Sequence, residues 1–205
     1  IAIYIKAYFL NYSKEYNLRS ENMQLDIMNF LSFFLVYGAL GFLLETVFRS
    51  LASGKVYISR GFITNGFCPL YGISGIIIIE IFTVCELSIV NPLHALIGAT
   101  AGSMAVVTLF EYITGRMLDR AFHFKLWDYS GNTFNLHSYI CLEFTLLWGI
   151  LALLLVYFIH PVIEVLVYAI PYNIRTLAVV MFLSMIYVNA SYNVRKMHKL
   201  NVRKL

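Results

Sequence analysis

The sequence predicts an all-α integral membrane protein, a bundle of about five transmembrane helices with a partly re-entrant or capping loop on its cytoplasmic side. Three observations carry this prediction. Apolar residues make up 60% of the 205 and charged residues 13%, with a mean hydropathy of +0.75, whereas a soluble domain is about half apolar and a quarter charged. Several apolar runs approach the ~20 residues that carry a helix across a ~30 Å hydrocarbon core. The stretches between them are rich in Gly, Pro and Asn and cannot continue a helix through lipid, where every backbone polar group needs an internal partner.

Residues 1–26 read as an N-terminal interfacial and connecting segment. Ile1 to Leu10 is apolar but interrupted by Lys6, without the basic start and small-residue cleavage site of a signal peptide. The polar run after it ends on Asp26, a suitable N-cap. The transmembrane bundle occupies 27–191, and its first span is expected from Ile27 to Leu51. On it, Gly38 and Gly41 permit close helix approach in lipid. Glu45 and Arg49, four residues apart, share a helical face where they can pair. Pairing offsets part of the ~2.5 to 3.5 kcal/mol that each charge costs at the membrane centre.

Residues 52–69 contain Gly54, Gly61, Gly66 and Pro69 and form the loop expected to be partly re-entrant. Span two is expected from Leu70 to Val84, with Glu80 and Glu86 at its far end. A link over Leu87 to Asn91 leads to Pro92, which is tolerated at a helix start. Span three then runs to about Thr114, with Gly98, Ala99, Ala101, Gly102 and Ser103 as a close-packing face, and Glu111, Gly115 and Asp119 follow at four-residue spacing. A polar and aromatic loop covers 116–138, and span four covers Tyr139 to His160. Pro161 and Pro171 bracket an eleven-residue apolar segment, too short to span and expected as an interfacial turn or a helix extension. Span five runs from Tyr172 to Ala190, and residues 192–205 form a basic cytoplasmic tail.

Five crossings divide the Lys and Arg residues unevenly. Lys6, Lys14, Arg19 and Arg175 fall on one side. On the other lie Arg49, Lys55, Arg60, Arg116, Arg120, Lys125 and the tail's Arg195, Lys196, Lys199, Arg203 and Lys204. Four against eleven places a multi-pass cell-membrane protein with its N-terminus outside and its C-terminus cytoplasmic. The basic tail is then a topology signal and a contact for membrane lipids, with no nucleic acid expected. The 52–69 and 116–138 loops thereby share the cytoplasmic face with Glu45, Glu111 and Glu143. Cys68, Cys85 and Cys141 are odd in number and lack CxxC spacing, which argues against a disulfide framework and a Cys-based zinc site. His123, His137 and Cys141 form no HExxH pattern, so neither a metal nor a cofactor is expected.

Four motifs carry a family resemblance: Glu45 and Arg49 in FLLETVFR; Arg60-Gly61-Phe62 followed by Pro69-Leu70-Tyr71-Gly72; Thr108 to Gly115 in TLFEYITG; and Trp127 to Cys141 in WDYSGNTFNLHSYIC. Over roughly residues 30 to 150 the chain resembles the bacterial ABC transporter type IV, permease-like membrane proteins, to which the animal transmembrane protein 229 group is similar. The resemblance implies a transport-associated protein. No GxxxxGK loop is present, so ATP-driven transport would need a separate ATPase subunit. Five spans are few for a lone carrier, so a homodimer is also expected, with Gly38, Gly41, Gly98 and Gly102 as packing surfaces.

The expected site is a cytoplasm-facing polar pocket for an anionic or amphiphilic solute, built from Glu45, Arg49, Arg60, Tyr71, Glu111, Trp127, Asp128, Tyr129, Asn135 and Glu143. Arg49 and Arg60 suit an anionic head group because the guanidinium offers a two-pronged donor fork. Glu45 or Glu111 would handle a proton. Structural ion pairing explains the same carboxylates, an interfacial aromatic belt explains Trp127 and Tyr129, and turn formation explains Asn135. A rival reading is an enzyme acting on a lipid or isoprenoid phosphate, with Glu111 or Asp128 as acid or base. A third is a non-catalytic membrane scaffold.

Overall fold

Proline and asparagine punctuation divides the chain into its spans. The computed structural model describes residues 27–56, 64–123 and 125–202; the 1–26 segment and Arg60 lie outside them. Helices α1 (Ile27–Ser53), α2 (Pro69–Ser88), α3 (Pro92–Phe122), α4 (Leu142–Leu154), α5 (His160–Ala169) and α6 (Tyr172–Val202) follow one another, with β1 (Asn135–Leu136) and β2 (Ile140–Cys141) before α4. Five helical spans among the described residues are long and apolar enough to cross a membrane, α4 and α5 together making one. The protein is a multi-pass membrane protein.

Helix α3 starts where the sequence places it. The Asn91 side chain accepts the amides of Leu93 and His94 at 2.9 and 3.3 Å, and Pro92 fills a position that needs no N–H. It runs on past Thr114 to Phe122 and ends at His123, which is in the left-handed region with φ 51°. Gly115, Arg116, Asp119 and Arg120 stay within the helix, because charge does not break an α-helix. The polar loop therefore starts after Phe122, not at residue 116. For the same reason α6 continues through Arg195 and Lys196 to Val202, and the start of the basic tail is helical.

The segment between Pro161 and Pro171 extends the fourth span, which is continuous over Leu142–Ala169. A π-helical turn at Leu155–Ile159 precedes Pro161, and His160 N–H bonds to Leu155 O across it. The wider turn accommodates the missing proline donor and its ring. The Pro161 signal thus marks a distortion and not an end.

Helices α1 and α2 pack through glycine contacts. A Cβ added to Gly38 or Gly41 would come within 2.2 Å of Phe67 or 2.1 Å of Tyr71, and one added to Gly72 would meet the Phe34 carbonyl at 2.7 Å. Gly38 and Gly41 are therefore occupied within the chain and are not available as a surface for a second copy. Gly98 and Gly102 meet Ile89 and Ile81 at ordinary distances of 3.6 and 3.4 Å.

The Cys68 amide donates to Gly38 O at 3.0 Å. Gly38 lies fifteen residues before the end of α1, so the 64–68 loop enters about 22 Å along that helix at 1.5 Å per residue. The described end of the 52–69 loop thus lies alongside α1 and not beyond its end. Buried Thr64 donates to Phe67 O at 2.6 Å, satisfying its hydroxyl where water is excluded. The main core joins Ile78 and Phe82 of α2 to Ala99 and Val107 of α3 and to Trp148 and Ala152 of α4.

Candidate functional site

A helical face with three- and four-residue spacing runs along α3 through Ser103, Val107, Thr108, Glu111, Gly115 and Leu118, all buried. This face carries the Glu111 carboxylate inside the bundle, where the residue is 5% exposed. Tyr129 OH donates to its Oε1 and Trp148 Nε1 to its Oε2, each at 3.1 Å. Among the described residues no Lys, Arg or His nitrogen lies within 4.0 Å of it. Two neutral donors thus hold a buried carboxyl group whose oxygens are each satisfied. One turn away, Thr108 donates to Thr145 at 3.2 Å, extending the polar seam between α3 and α4.

The loop from Leu126 to Tyr139 covers this seam and is fastened at several points. Arg49 of α1 donates to Leu126 O at 3.2 Å and pairs with Glu45 at 2.7 Å. The Trp127 indole donates to Tyr139 O at 2.6 Å. Its ring lies against Gly115, where an added Cβ would sit 3.4 Å away. Tyr129 N–H donates to Ser138 O at 2.9 Å, and its ring stacks on Phe144 at 4.6 Å. Asn132 donates to Glu143 at 2.7 Å, and Tyr139 OH donates to Asp119 at 2.7 Å. Asn135 closes the turn internally, donating to Asn132 O at 2.9 Å and accepting from Ser138 N at 3.3 Å.

Within the loop, β1 pairs antiparallel with β2. Phe134, His137 and Ser138 adopt positive φ values of 52°, 54° and 65°, costly for residues other than glycine and sustained only when neighbours fix them. Fixed anchors and strained turns make this segment a built lid.

The expected site residues separate into three groups. Glu111, Tyr129 and Tyr71 form the interior group. Tyr71 lies 5.4 Å from Trp148, ring to ring, and within electrostatic reach of Glu45 and Glu111. Glu45, Arg49, Trp127, Asn135 and Glu143 fasten the lid. Asp128 stands apart and is exposed. Its Oδ1 accepts Ser130 N–H at 3.0 Å and its Oδ2 lies 3.7 Å from Lys125. The Ser130 donors, then Lys125, hold its carboxyl below the usual Asp range. Burial first, then the charge of Glu111, raises the Tyr129 phenol, which stays a protonated donor. Glu111 and Asp128 thus have separate sets of neighbours.

Sequence reasoning missed Trp148, Phe144, Thr108 and Thr145, which read as span residues. Trp148 carried a usable signal. It is one of 2 tryptophans, and a buried indole N–H in an apolar helix needs an acceptor. A family model described as "Putative ABC-transporter type IV" matches residues 32–194. No curated protein and no solved structure matches the chain.

Proposed function

The chain belongs to this ABC-transporter type IV family, and on that premise we propose that it is a transport-associated membrane subunit whose solute meets the protein beneath the Leu126–Tyr139 lid. The observation that carries this reading is Glu111. A carboxylate inside a membrane span, held by one lid residue and one helix residue, links lid position to the charge state of an interior group.

Tyr71, Tyr129, Phe144 and Trp148 supply aromatic walls for an apolar portion. Arg49, already at the edge of the lid, supplies a guanidinium for an acidic head. The solute is thus an anionic amphiphile, Glu111 takes up a proton as the lid opens, and the lid faces the cytoplasm, the side that the Lys and Arg count favours. Family membership favours a separate ATPase subunit, and the small number of spans favours a homodimer.

Both tryptophans lie in the site, so intrinsic fluorescence reports on it directly. Brominated lysophosphatidylglycerol added to the full chain in detergent should quench saturably, brominated lysophosphatidylcholine less so. Arg49→Gln and Glu111→Gln should each weaken the anionic response. Equal quenching by both lipids, or by wild type and both variants, would reduce the site to a structural seam. The tagged chain purified from native membranes in mild detergent should also carry ATPase activity; its absence there would remove the ATPase partner.

A further inference from the structure

At the end of the bundle away from the lid, α6 begins with a cation inside the protein. Arg175 is 7% exposed. Its Nη1 donates to Val167 O in the last turn of α5 at 3.3 Å. Its guanidinium lies 5.5 and 5.7 Å from the rings of Tyr168 and Tyr172. Among the described residues the buried Nε–H has no acceptor, and no carboxylate lies within 4.0 Å of the guanidinium. Burying a cation costs several kcal/mol unless it is paired. One carbonyl and two ring faces offset only part of that.

Arg175 also lines a cavity of about 410 Å³ between α1, the 64–67 loop, α5 and α6, within the ~300 to 1,000 Å³ range of small-molecule sites. Val36, Ala39, Val179, Phe182 and Ile186 give it apolar walls, and Asn189 stands at its far end. Arg175 and Asn189 are fourteen residues apart on α6, about 21 Å at 1.5 Å per residue. The lining therefore follows α6 over about four turns, with the cation at one end and the amides of Asn65 and Asn189 at the other.

We propose that this groove is a second binding site, for a single-chain amphiphile with an acidic head, a carboxylate or a phosphate, that pairs with the Arg175 guanidinium. A buried charge with no counter-ion among the described residues selects an anion, and the apolar walls select a chain over a free ion. The site shares no residue with the Glu111 cluster and stands without it.

The test uses the full chain in a non-ionic detergent with cis-parinaric acid, whose fluorescence rises on binding, and with its methyl ester. The acid should bind saturably, about tenfold or more tighter than the ester, the difference expected of a charge-assisted hydrogen bond. Arg175→Gln should erase that difference. Ala178→Phe, which leaves Arg175 in place and fills the groove, should abolish binding of both probes. Competition by lysophosphatidylglycerol but not by inorganic phosphate would show that head and chain are read together and that phosphate heads are accepted. Competition by carboxylates alone would assign a fatty-acid site. Equal binding of acid and ester, or undiminished binding by Ala178→Phe, would overturn the proposal. So would failure to bind in a chain whose Met185→Cys variant cross-links to a second copy, since that places protein in the groove.

Discussion

Gly41→Ala should destabilise the bundle, whereas Gly98→Ala should not. At position 41 the new Cβ would lie 2.1 Å from Tyr71 Cβ, about 1.5 Å inside the ~3.5 to 4.0 Å optimum for two carbons. The opposing atom is fixed to the backbone of α2, so no rotamer change relieves the clash and the two helices must separate. Overpacking of this kind costs about 1 to 3 kcal/mol. The helix preference of alanine over glycine, about 0.8 to 1 kcal/mol, offsets part, leaving a net loss of up to about 2 kcal/mol. At position 98 the nearest atom is Ile89 Cδ1 at 3.6 Å, ordinary contact, so the substitution should be neutral or stabilise by up to ~1 kcal/mol. Unfolding of the detergent-solubilised chain by SDS titration, followed by tryptophan fluorescence, measures both. Trp148 lies against Tyr71, so Gly41→Ala should also shift the native emission. Equal stability of the two variants would refute the assignment of Gly41 to the α1–α2 contact.

Tyr129→Phe removes one donor to Glu111 but keeps the ring on Phe144. It should therefore loosen the lid by about 1 to 3 kcal/mol, read as roughly 5- to 150-fold faster hydrogen exchange of lid amides, with the exchange of α2 amides unchanged. Arg49→Gln leaves Glu45 without its partner and frees Leu126 O, so proteolysis within the lid should speed up, and Arg49→Lys should restore protection only in part because the two-pronged fork is lost. Asp128 has a depressed carboxyl, so its Ser130 turn contributes stability above the ordinary Asp pKa and loses it only as pH falls through the lower folded value. Ser130 amide exchange should stay slow where an unperturbed Asp already protonates, and Asp128→Asn should remove that pH dependence.

The spans were legible because lipid enforces simple rules: apolar length, internal backbone bonding and the Asn91–Pro92 start signal each act locally. The lid was legible as a polar island, and Glu45–Arg49 as a pair, because four-residue spacing fixes which side chains meet on one helix. Helix ends were less legible. Past Thr114 and Ala190 the apolar run gives way to charges while the hydrogen-bond ladder continues, and at Pro161 a π-turn absorbs what normally stops a helix.

Partners across helices were not legible at all. Glu111 could have met an arginine; the tertiary structure gives it Tyr129 and Trp148, thirty-seven residues away in sequence in the latter case. Gly38, Gly41, Gly98 and Gly102 look alike in the sequence, yet only the first two are met at close range, Gly38 by Phe67 of the loop and Gly41 by Tyr71 of α2. The apolar pattern by itself determined that this chain spans a membrane five times. Only the packing of those spans decided which polar groups face one another, because helix rotation and register depend on contacts between residues far apart in the chain.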